Sequence, residues 1–376
     1  MISRDLQNIF RLGVKELWSL LRDPMMLILI AYSFTLAVSS AATALPETLH
    51  KAPIAIIDED QSALSRRIVS SFYPPNFVVF EVGSAAEIDD GMDSGRYTFA
   101  LTIPVGFQRD VLAGDQPAVQ LNVDATRMSQ AFAGSGHVQQ MVNHEVAEFV
   151  QGFRGSATLP VELVPRMRFN PALEQAWFGS IMEIINQITM ISIILAGAAL
   201  IREREHGTIE HLLVMPVTPG QIMLAKVWAT GLVVFLATGL SLTLVIEGAL
   251  QVPIQGSVLL FMACVALHLM ATTSMGIFMA TVSRSMPQFG LLLILTLLPL
   301  QMLSGGMTPR ESMPEAAQVL MMAAPTTHFT AVAQAILYRG AGFEVVWPQM
   351  LAMFVIASIF FWLAMRRFRK MLLQGG

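Results

Sequence analysis

Charged and helix-ending residues are concentrated in one short segment of an otherwise apolar chain, residues 202–216, which has the sequence REREHGTIEHLLVMP. Gly207 can end a long helix, Thr208 can cap a new one, and Pro216 can end that one. A helix of about two turns is too short to be stable alone. Its apolar face consists of Ile209, Leu212 and Leu213. These residues suit docking, so we expect a partner for the helix; the alternatives are the bilayer surface and the chain's own spans.

Chemistry on nucleotides or metals is not predicted for this chain. None of its lysines, Lys15, Lys51, Lys226 and Lys370, follows a glycine, so the lysine of a phosphate-binding loop is missing. A single cysteine, Cys264, excludes an internal disulfide and a Cys-based zinc site. The net charge of −4 gives no basic surface for nucleic acid. We predict no catalytic residue, no metal and no cofactor bound by this chain.

Two histidines share a predicted helix face with an acid. His144 and Glu148 resemble the start of a zinc-protease helix, but Glu148 stands where the second histidine of that motif is needed. Together with His137, they leave a two-histidine metal site and a polar helix face as alternatives. So few ligands favour the polar face.

The elements that hold these residues are mostly membrane spans. The chain is 54% apolar and only 13% charged, so much of its surface does not face water. A bilayer core about 30 Å thick needs about 20 apolar residues in a helix. Six runs have or approach this length: 25–45, 177–201, 226–248, 257–282, 288–304 and 347–365. The sequence predicts a polytopic α-helical membrane protein with six transmembrane helices.

The orientation follows from lysine and arginine in the short loops. Twelve of them lie on the side of the termini, including four in the tail 366–376, whereas the opposite loops 249–256 and 305–346 carry two. Because cytoplasmic loops are enriched in these residues, both termini should be cytoplasmic. The loop 202–225 then faces the cytoplasm, and its acids are Glu203, Glu205 and Glu210. The first apolar run is longer than that of a signal peptide, so we expect an uncleaved anchor.

Residues 1–24 have the pattern of an amphipathic helix. Arg4, Arg11, Lys15 and Arg22 recur at spacings that bring them to one helix face. The opposite face carries Leu6, Ile9, Phe10, Leu17 and Leu20. We expect the helix to lie in the membrane interface, with its basic residues toward anionic lipid. The alternative is a first helix packed on protein.

Residues 46–176 have a different composition, because they hold 16 of the 27 acidic residues. Short β-type runs near 53–57, 77–80, 97–103 and 119–123 alternate with helical ones. Such alternation predicts an α/β domain. By the loop charges, this domain should lie outside the cytoplasm, between the first and second spans.

Polar residues inside predicted spans are candidates for a transport path. Glu183 and Asn186 share a face of the second span, Glu247 lies near the outer end of the third, and His268 lies within the fourth. Ionisable groups at membrane depth usually face a bundle interior or a cavity. The alternative is that Glu183 lies at the interface and that Glu247 only marks the end of its span.

The segment 202–216 resembles the ERE-x-GT-x-E-x-LL-x-x-P signature of ABC-2 type permeases, the membrane subunits of a class of ABC exporters. The match consists of Glu203, Arg204, Glu205, Gly207, Thr208, Glu210, Leu212, Leu213 and Pro216. The segments 54–67 (IAIIDEDQSALSRR), 101–110 (LTIPVGFQRD) and 304–314 (SGGMTPRESMP) are similar to its drug-export branch. Many members have a DG-type sequence where this chain has 124–126 (DAT). Because of this departure, the substrates of other branches are not carried over to this chain.

The resemblance implies a dimer of six-span permeases in the bacterial inner membrane, formed with a second copy or a paralogue. Each permease clasps an ABC ATPase subunit, which binds ATP and Mg²⁺, through the helix after span two. Two short outer re-entrant helices are implied between spans five and six, where 305–346 has several prolines and two apolar runs too short to span. A periplasmic adaptor and an outer-membrane channel are further implied partners.

The function that follows is outward transport of an amphipathic or hydrophobic small molecule, driven by ATP hydrolysed on the partner. A mechanotransducer is the alternative: it would relay ATPase motion to the outer domain without passing substrate. The six spans, the re-entrant segment and an acid within span two favour the transporter, because a relay needs fewer spans.

Overall fold

The structure is a computed structural model that describes residues 2–43, 51–124, 128–151, 175–207, 216–308 and 310–374. Its helices are α1 (Ile2–Leu21), α2 (Pro24–Tyr32), α3 (Val38–Thr43), α4 (Ala63–Ser71), α5 (Ala85–Asp93), α6 (Phe107–Ala113), α7 (Met128–Gln151), α8 (Gln175–Glu205), α9 (Pro219–Leu240), α10 (Val258–Val282), α11 (Met286–Met302), α12 (Glu315–Met321), α13 (Pro325–Leu337) and α14 (Phe343–Gln374). The strands are β1 (Ala52–Asp58), β2 (Phe77–Glu81), β3 (Phe99–Ile103) and β4 (Gln120–Val123). The chain divides into two compact units, Met1–Leu45 with Met167–Gly376, and Pro46–Arg166.

The first unit is helical, and the described residues include five helices long and apolar enough to cross a membrane. These candidate spans are Pro24–Thr43, Ala176–Glu205, Pro219–Ala249, Val258–Val282 and Phe343–Leu372. They confirm a polytopic helical membrane protein. The last helix continues through most of the predicted tail, to Gln374.

The predicted fifth span and the region after it differ from simple crossings. Helix α11 has 17 residues, which is short for a span, and it contains Pro299. Helices α12 and α13 are bent by 86° at a short break, so the pair is a broken span or a re-entrant loop. Counting this pair as one span gives up to six candidate spans in the described part of the chain.

Helix α8 is the centre of this unit. In its most apolar stretch 78% is buried inside the protein, against 17% for α14. It packs along α10, which in turn packs along α14. Gly276 of α10 permits the close approach, because a Cβ there would lie 2.5 Å from the backbone oxygen of Ile193 in α8. Helix α8 is therefore the most enclosed candidate span in the described part of the chain.

Two spans contain π-helical segments, Ser33–Ala37 and Ser241–Ala249. Wider turns of this kind leave backbone groups imperfectly paired, and they occur often at functional positions. The two segments contact each other, and the Ser241 hydroxyl donates to the backbone oxygen of Phe34 at 2.6 Å. This hydrogen bond joins the first and third candidate spans.

The second unit is an α/β fold with a four-stranded sheet of order β2-β1-β3-β4. Strand β1 pairs in parallel with β2 and β3, and β4 is antiparallel to β3. Its core joins the inner side chains of β1 and β3 to helices α4, α6 and α7. Residues 44–50 and 152–174, which belong to the predicted outer domain or its borders, lie outside the described residues.

The crevice at the carboxyl ends of β1 and β3 is closed by the chain's own side chains. In open α/β sheets this position is where ligands commonly bind, because the strand order reverses there. Here the Asp60 carboxylate accepts hydrogen bonds from the amides of Gly106 and Gln108, at 2.8 and 3.0 Å. The Gln108 side chain accepts from the amide of Leu64 at 3.0 Å. A protein carboxylate thus occupies the position that a ligand anion would take.

We predict that Asp60→Ala lowers the local stability of the backbone around this crevice by about 1 kcal/mol, the usual cost of losing a capping carboxylate. The amides of Gly106 and Gln108 should exchange hydrogen faster in the full chain, as measured by mass spectrometry. Asp89→Ala, an exposed acid on α5, is the matched control. Unchanged exchange in the Asp60 variant would contradict this role.

Acid should have the same effect. Burial alone would raise the pKa of Asp60, but hydrogen bonds from Ser62 and from the amides of Gln108 and Gly106 lower it below its ordinary value. The stabilisation is then complete above the ordinary pKa and is lost as the pH falls through the folded one. Faster exchange at these amides at low pH, relative to their intrinsic rates, is the expected observation.

Candidate coupling and translocation sites

The predicted coupling segment begins at the end of α8. Glu203 and Glu205 lie in the last turn of that helix, and Gly207 follows it with φ +68°, a left-handed conformation that glycine adopts without strain. Pro216 is described as part of a bend. The remaining predicted coupling residues, Thr208, Ile209, Glu210, Leu212 and Leu213, lie outside the described residues, so the predicted helix 208–215 stays a prediction.

A buried lysine meets the end of α8. The Lys226 side chain in α9 is 2% exposed, and its Nζ lies 2.7 Å from Glu203 and 3.2 Å from Glu16 of α1. Lys15, also in α1, lies 2.9 Å from Glu203 and 3.4 Å from Glu16. Two ammonium groups and two carboxylates thus form a neutral group, the four-charge cluster, that joins three helices. Since a lone buried charge is costly, each partner stabilises the others.

The exposed member of the cluster is affected as well. Burial alone would lower the pKa of Lys15, but the carboxylates of Glu203 and Glu16 raise it above its ordinary value. Lys15 therefore stays charged throughout the physiological range. The side chain is 51% exposed, so water screens its ion pairs more than those of Lys226.

Local sequence places Lys226 where it can reach α1. The Thr218 side chain and Gln221 form a reciprocal capping box that starts α9, and Lys226 follows one turn later. The Gln221 side chain donates to Asp5 of α1 at 2.7 Å. Two residues further on, the Trp228 indole donates to the backbone oxygen of Ile9 at 3.2 Å. Helix α1 is thus bound along the first turns of α9.

Two more contacts fix the end of α8. The Arg202 guanidinium forms an ion pair with Asp23, which also caps α2 through the amide of Met26. Burial alone would raise the pKa of Asp23, but the hydrogen bonds from Met26 and Arg202 lower it. On the other side, Glu205 accepts from the amide of Met286 at the start of α11, at 3.0 Å. The end of α8 is therefore held by α1, α2, α9 and α11.

Sequence reasoning missed these partners. Glu203 and Glu205 were predicted to serve ATPase coupling, and the structure gives both of them contacts within the chain. Glu16, Asp23 and Lys226 were not singled out. The signal for Lys226 is its position at the very start of an apolar run, but a lysine there is normally taken as a marker of orientation.

The predicted membrane-interface residues divide into two kinds. Arg4, Arg11 and Arg22 are exposed, whereas Lys15 belongs to the four-charge cluster. The exposed large apolar side chains of α1 are Leu6, Phe10, Trp18 and Leu21. A helix with exposed arginines and exposed apolar side chains suits the membrane interface, and the lipid contacts of the four basic residues stay a prediction.

Two of the four polar residues predicted for a transport path, Glu183 and Asn186, lie on α8. Glu183 accepts from the Gln187 side chain at 2.5 Å within the same helix, and Asn186 is half-buried. His268 of α10 is fully buried, its Nε2 lies 2.9 Å from the Thr189 hydroxyl, and its ring stacks on Phe329 of α13. Glu247 is exposed in the second π-helical segment, away from these contacts.

The contact between α8 and α10 continues as a polar seam one turn further on. The Ser192 hydroxyl donates to Thr272 at 2.7 Å, and Thr272 donates to the backbone oxygen of His268 at 3.1 Å. All three side chains are buried. The polar seam thus comprises two hydrogen-bonded groups along α8: Glu183 with Gln187 within the helix, and Thr189 and Ser192 with His268 and Thr272 of α10.

The histidines weighed as metal ligands, His137 and His144, both lie on α7. Across the described ranges, no group of three or more His, Cys, Asp or Glu is placed to hold a metal ion. His144 and Glu148 lie 3.6 Å apart, but Glu148 also pairs with Arg67 at 2.6 Å. These contacts fit the polar helix face that the sequence favours.

Comparison with known proteins decides the family. The profile described as "ABC-2 family transporter protein" matches residues 17–366. The chain belongs to the ABC-2 transporter family. This ABC-2 permease is 62% identical to the inner membrane transport permease YhhJ of Escherichia coli (strain K12), over 98% of each chain. It is 28% identical to the probable multidrug ABC transporter permease YbhR of the same strain, over 92% of this chain and 93% of that protein.

Family membership makes the chain a membrane subunit of an ABC transporter system and confirms the predicted resemblance. The apolar helices and the similarity to an inner-membrane permease indicate an integral inner-membrane protein. These relatives are transport permeases by name, which does not favour the mechanotransducer.

The four-charge cluster makes a prediction about stability. Lys226→Met leaves the Glu203 carboxylate in a buried position with a weaker counter-charge and should cost about 3–5 kcal/mol. Lys15→Met is the matched control, because its half-exposed ion pairs contribute at most about 1 kcal/mol. Thermal unfolding of the full chain in detergent, followed by tryptophan fluorescence, measures both. Equal shifts in the two variants would disprove the special role of the buried lysine.

Proposed function

We propose that this chain is the permease half of an ATP-driven exporter, which moves amphipathic or hydrophobic small molecules outward across the inner membrane. The observation that carries the proposal is that the end of α8 and the start of α9, on either side of the loop 208–215, are both held by contacts within the chain. Helix α8 ends in ion pairs and α9 begins in a capping box, so a force on the loop passes directly into both helices. Of these, α8 is the most buried span.

The force comes from a partner ATPase in this proposal. The chain has no phosphate-binding lysine, so ATP and Mg²⁺ bind to the partner. The partner docks on the helix 208–215, with Ile209, Leu212 and Leu213 as the apolar contact and Glu210 as a charged one. A second copy of the permease or a paralogue completes the transporter. An adaptor and an outer-membrane channel are further proposed partners.

The polar seam along α8 supports the proposed path. Glu183 and Asn186 give the path a negative and a polar side chain, which suit a cationic or amphipathic substrate. His268 lies deeper, stacked on α13, so a change in the bent pair α12–α13 would reach it. Glu247 marks the outer end in this proposal. The relatives whose names contain "multidrug" support amphipathic substrates.

Orientation completes the proposal. Both termini lie in the cytoplasm, the α/β unit lies outside, and α12–α13 re-enter the membrane from the outer side. Arg4, Arg11 and Arg22 contact anionic lipid at the cytoplasmic surface. The distribution of basic residues supports each of these placements.

Charge changes in the proposed docking helix should remove the partner. We expect Leu213→Asp or Glu210→Lys to abolish copurification with the partner ATPase, because each puts an unfavourable charge in the contact. Glu59→Lys, an exposed charge reversal in the α/β unit, should leave copurification unchanged. The variants must keep the melting temperature of the wild type. Retained copurification of both docking variants would refute the contact.

The acid in the seam should matter for cationic substrates. With the partner ATPase present, we expect Glu183→Gln to lower the efflux of a fluorescent cationic amphiphile from cells by about fivefold or more, consistent with the loss of an intramembrane charge contact. Glu344→Ala, an exposed acid at the start of α14, is the control. Unchanged efflux would remove Glu183 from the path, and no efflux from the wild type would favour the mechanotransducer.

A further inference from the structure

Two members of the four-charge cluster belong to α1, a helix that a transport path across the membrane does not by itself require. Helix α1 precedes the first candidate span, yet its Glu16 carboxylate lies 3.2 Å from the buried Nζ of Lys226. Lys226 in turn lies 2.7 Å from Glu203, two residues before α8 ends at Glu205. A chain of buried charges thus connects the start of the coupling loop to α1.

The ion pairs between Lys226 and the two carboxylates resist separation because their charges are buried. Lys226 is almost completely shielded from water, and Glu16 and Glu203 are mostly buried. Separating either carboxylate from the ammonium would leave an uncompensated charge in a poorly solvated place. The end of α8 therefore cannot move away from α1 without a large cost, unless α1 moves with it.

Hydrogen bonds and close packing bind α1 to α9 over the same length. They are the hydrogen bonds from Gln221 to Asp5 and from Trp228 to Ile9, and the close packing of Gly13 on Trp228. A Cβ at Gly13 would lie 2.1 Å from the indole ring, so the two helices approach too closely for a larger residue. Helices α1 and α9 thus form one surface, to which Glu203 of α8 attaches through Lys226.

We propose that Glu16 and Lys226 are positioning residues for coupling, which make α1 and the first turns of α9 move together with the end of α8 when the coupling loop is displaced. This inference rests on the proposed function. In it α1 is a moving part of the transporter, and its exposed apolar face with Leu6, Phe10, Trp18 and Leu21 slides in the membrane interface. The competing role is a passive anchor that holds the chain to the membrane surface.

Glu16→Gln tests this most directly, because it removes the charge that α1 offers to Lys226 and leaves the Glu203–Lys226 pair in place. The full permease is purified with its ATPase subunit and reconstituted in vesicles of zwitterionic and anionic phospholipid. ATP hydrolysis and uptake of a fluorescent cationic amphiphile are measured in the same sample. Asp5→Asn is the matched control, since asparagine on the same helix can still accept from Gln221.

We expect Glu16→Gln to keep its ATP hydrolysis and its melting temperature within the range of the control, while the amphiphile transported per ATP falls about tenfold, a usual size for coupling between two sites. A merely structural role would lower both rates together, or neither. An unchanged ratio of transport to hydrolysis would overturn the inference, and so would a parallel loss of both activities.

A second measurement tests whether Glu16 and Glu203 act through the same residue. In a double-mutant cycle, Glu16→Gln and Glu203→Gln should not be additive in their effect on the ratio, because both act through Lys226. Additive effects would overturn the inference. A wild-type complex that binds ATPase and hydrolyses ATP but transports nothing would refute the proposed function, and the inference with it.

Discussion

The Lys226 ammonium depends on two carboxylates, and the part of the bundle around the end of α8 depends on that arrangement. A lysine that is 2% exposed is tolerated only with its charge compensated. Glu203 and Glu16 come from helices far apart in the chain, so compensation requires α1, α8 and α9 to be in place together. The Asp23 and Glu205 contacts extend the same constraint to α2 and α11. Charge pairing therefore defines how five helices meet beside the coupling loop.

Deeper in the bundle, hydrogen bonds replace ion pairs. Thr189, Ser192, His268 and Thr272 bond to one another across α8 and α10, and each is buried. Small and hydroxyl side chains allow helices in membranes to approach closely, as Gly276 does here. The interior is thus tightly packed around α8, and its polar seam is one of several places where buried polar side chains form hydrogen bonds, as Ser241 does near Phe34. That combination suits a helix that must move as a unit while it presents a polar face to a neighbour.

Much of the architecture follows from the sequence because it depends on local properties. Apolar length located the candidate spans, and the alternation of short β-type and helical runs in 46–176 corresponds to an α/β unit. The charge stripe of α1 was also visible, but periodicity cannot tell a lipid headgroup from a protein carboxylate, so the partner of Lys15 was not predictable. Glu16 and Lys226 are 210 positions apart, and no local pattern connects them. The π-helical segments and the 86° bend were likewise not predicted from the sequence.

The π-helical segments have a consequence for how this chain can vary. A wide turn accommodates one residue more than an α-helical turn, and one residue corresponds to about 100° of rotation. Beyond Ser33–Ala37 and Ser241–Ala249, side chains therefore face directions that an uninterrupted helix of the same sequence would not give them. A single-residue deletion within either segment can be absorbed by conversion to a regular α-helical turn, whereas the same deletion in α8 would rotate the whole polar seam out of register. Natural length variation among permeases of this kind should accumulate at these two places.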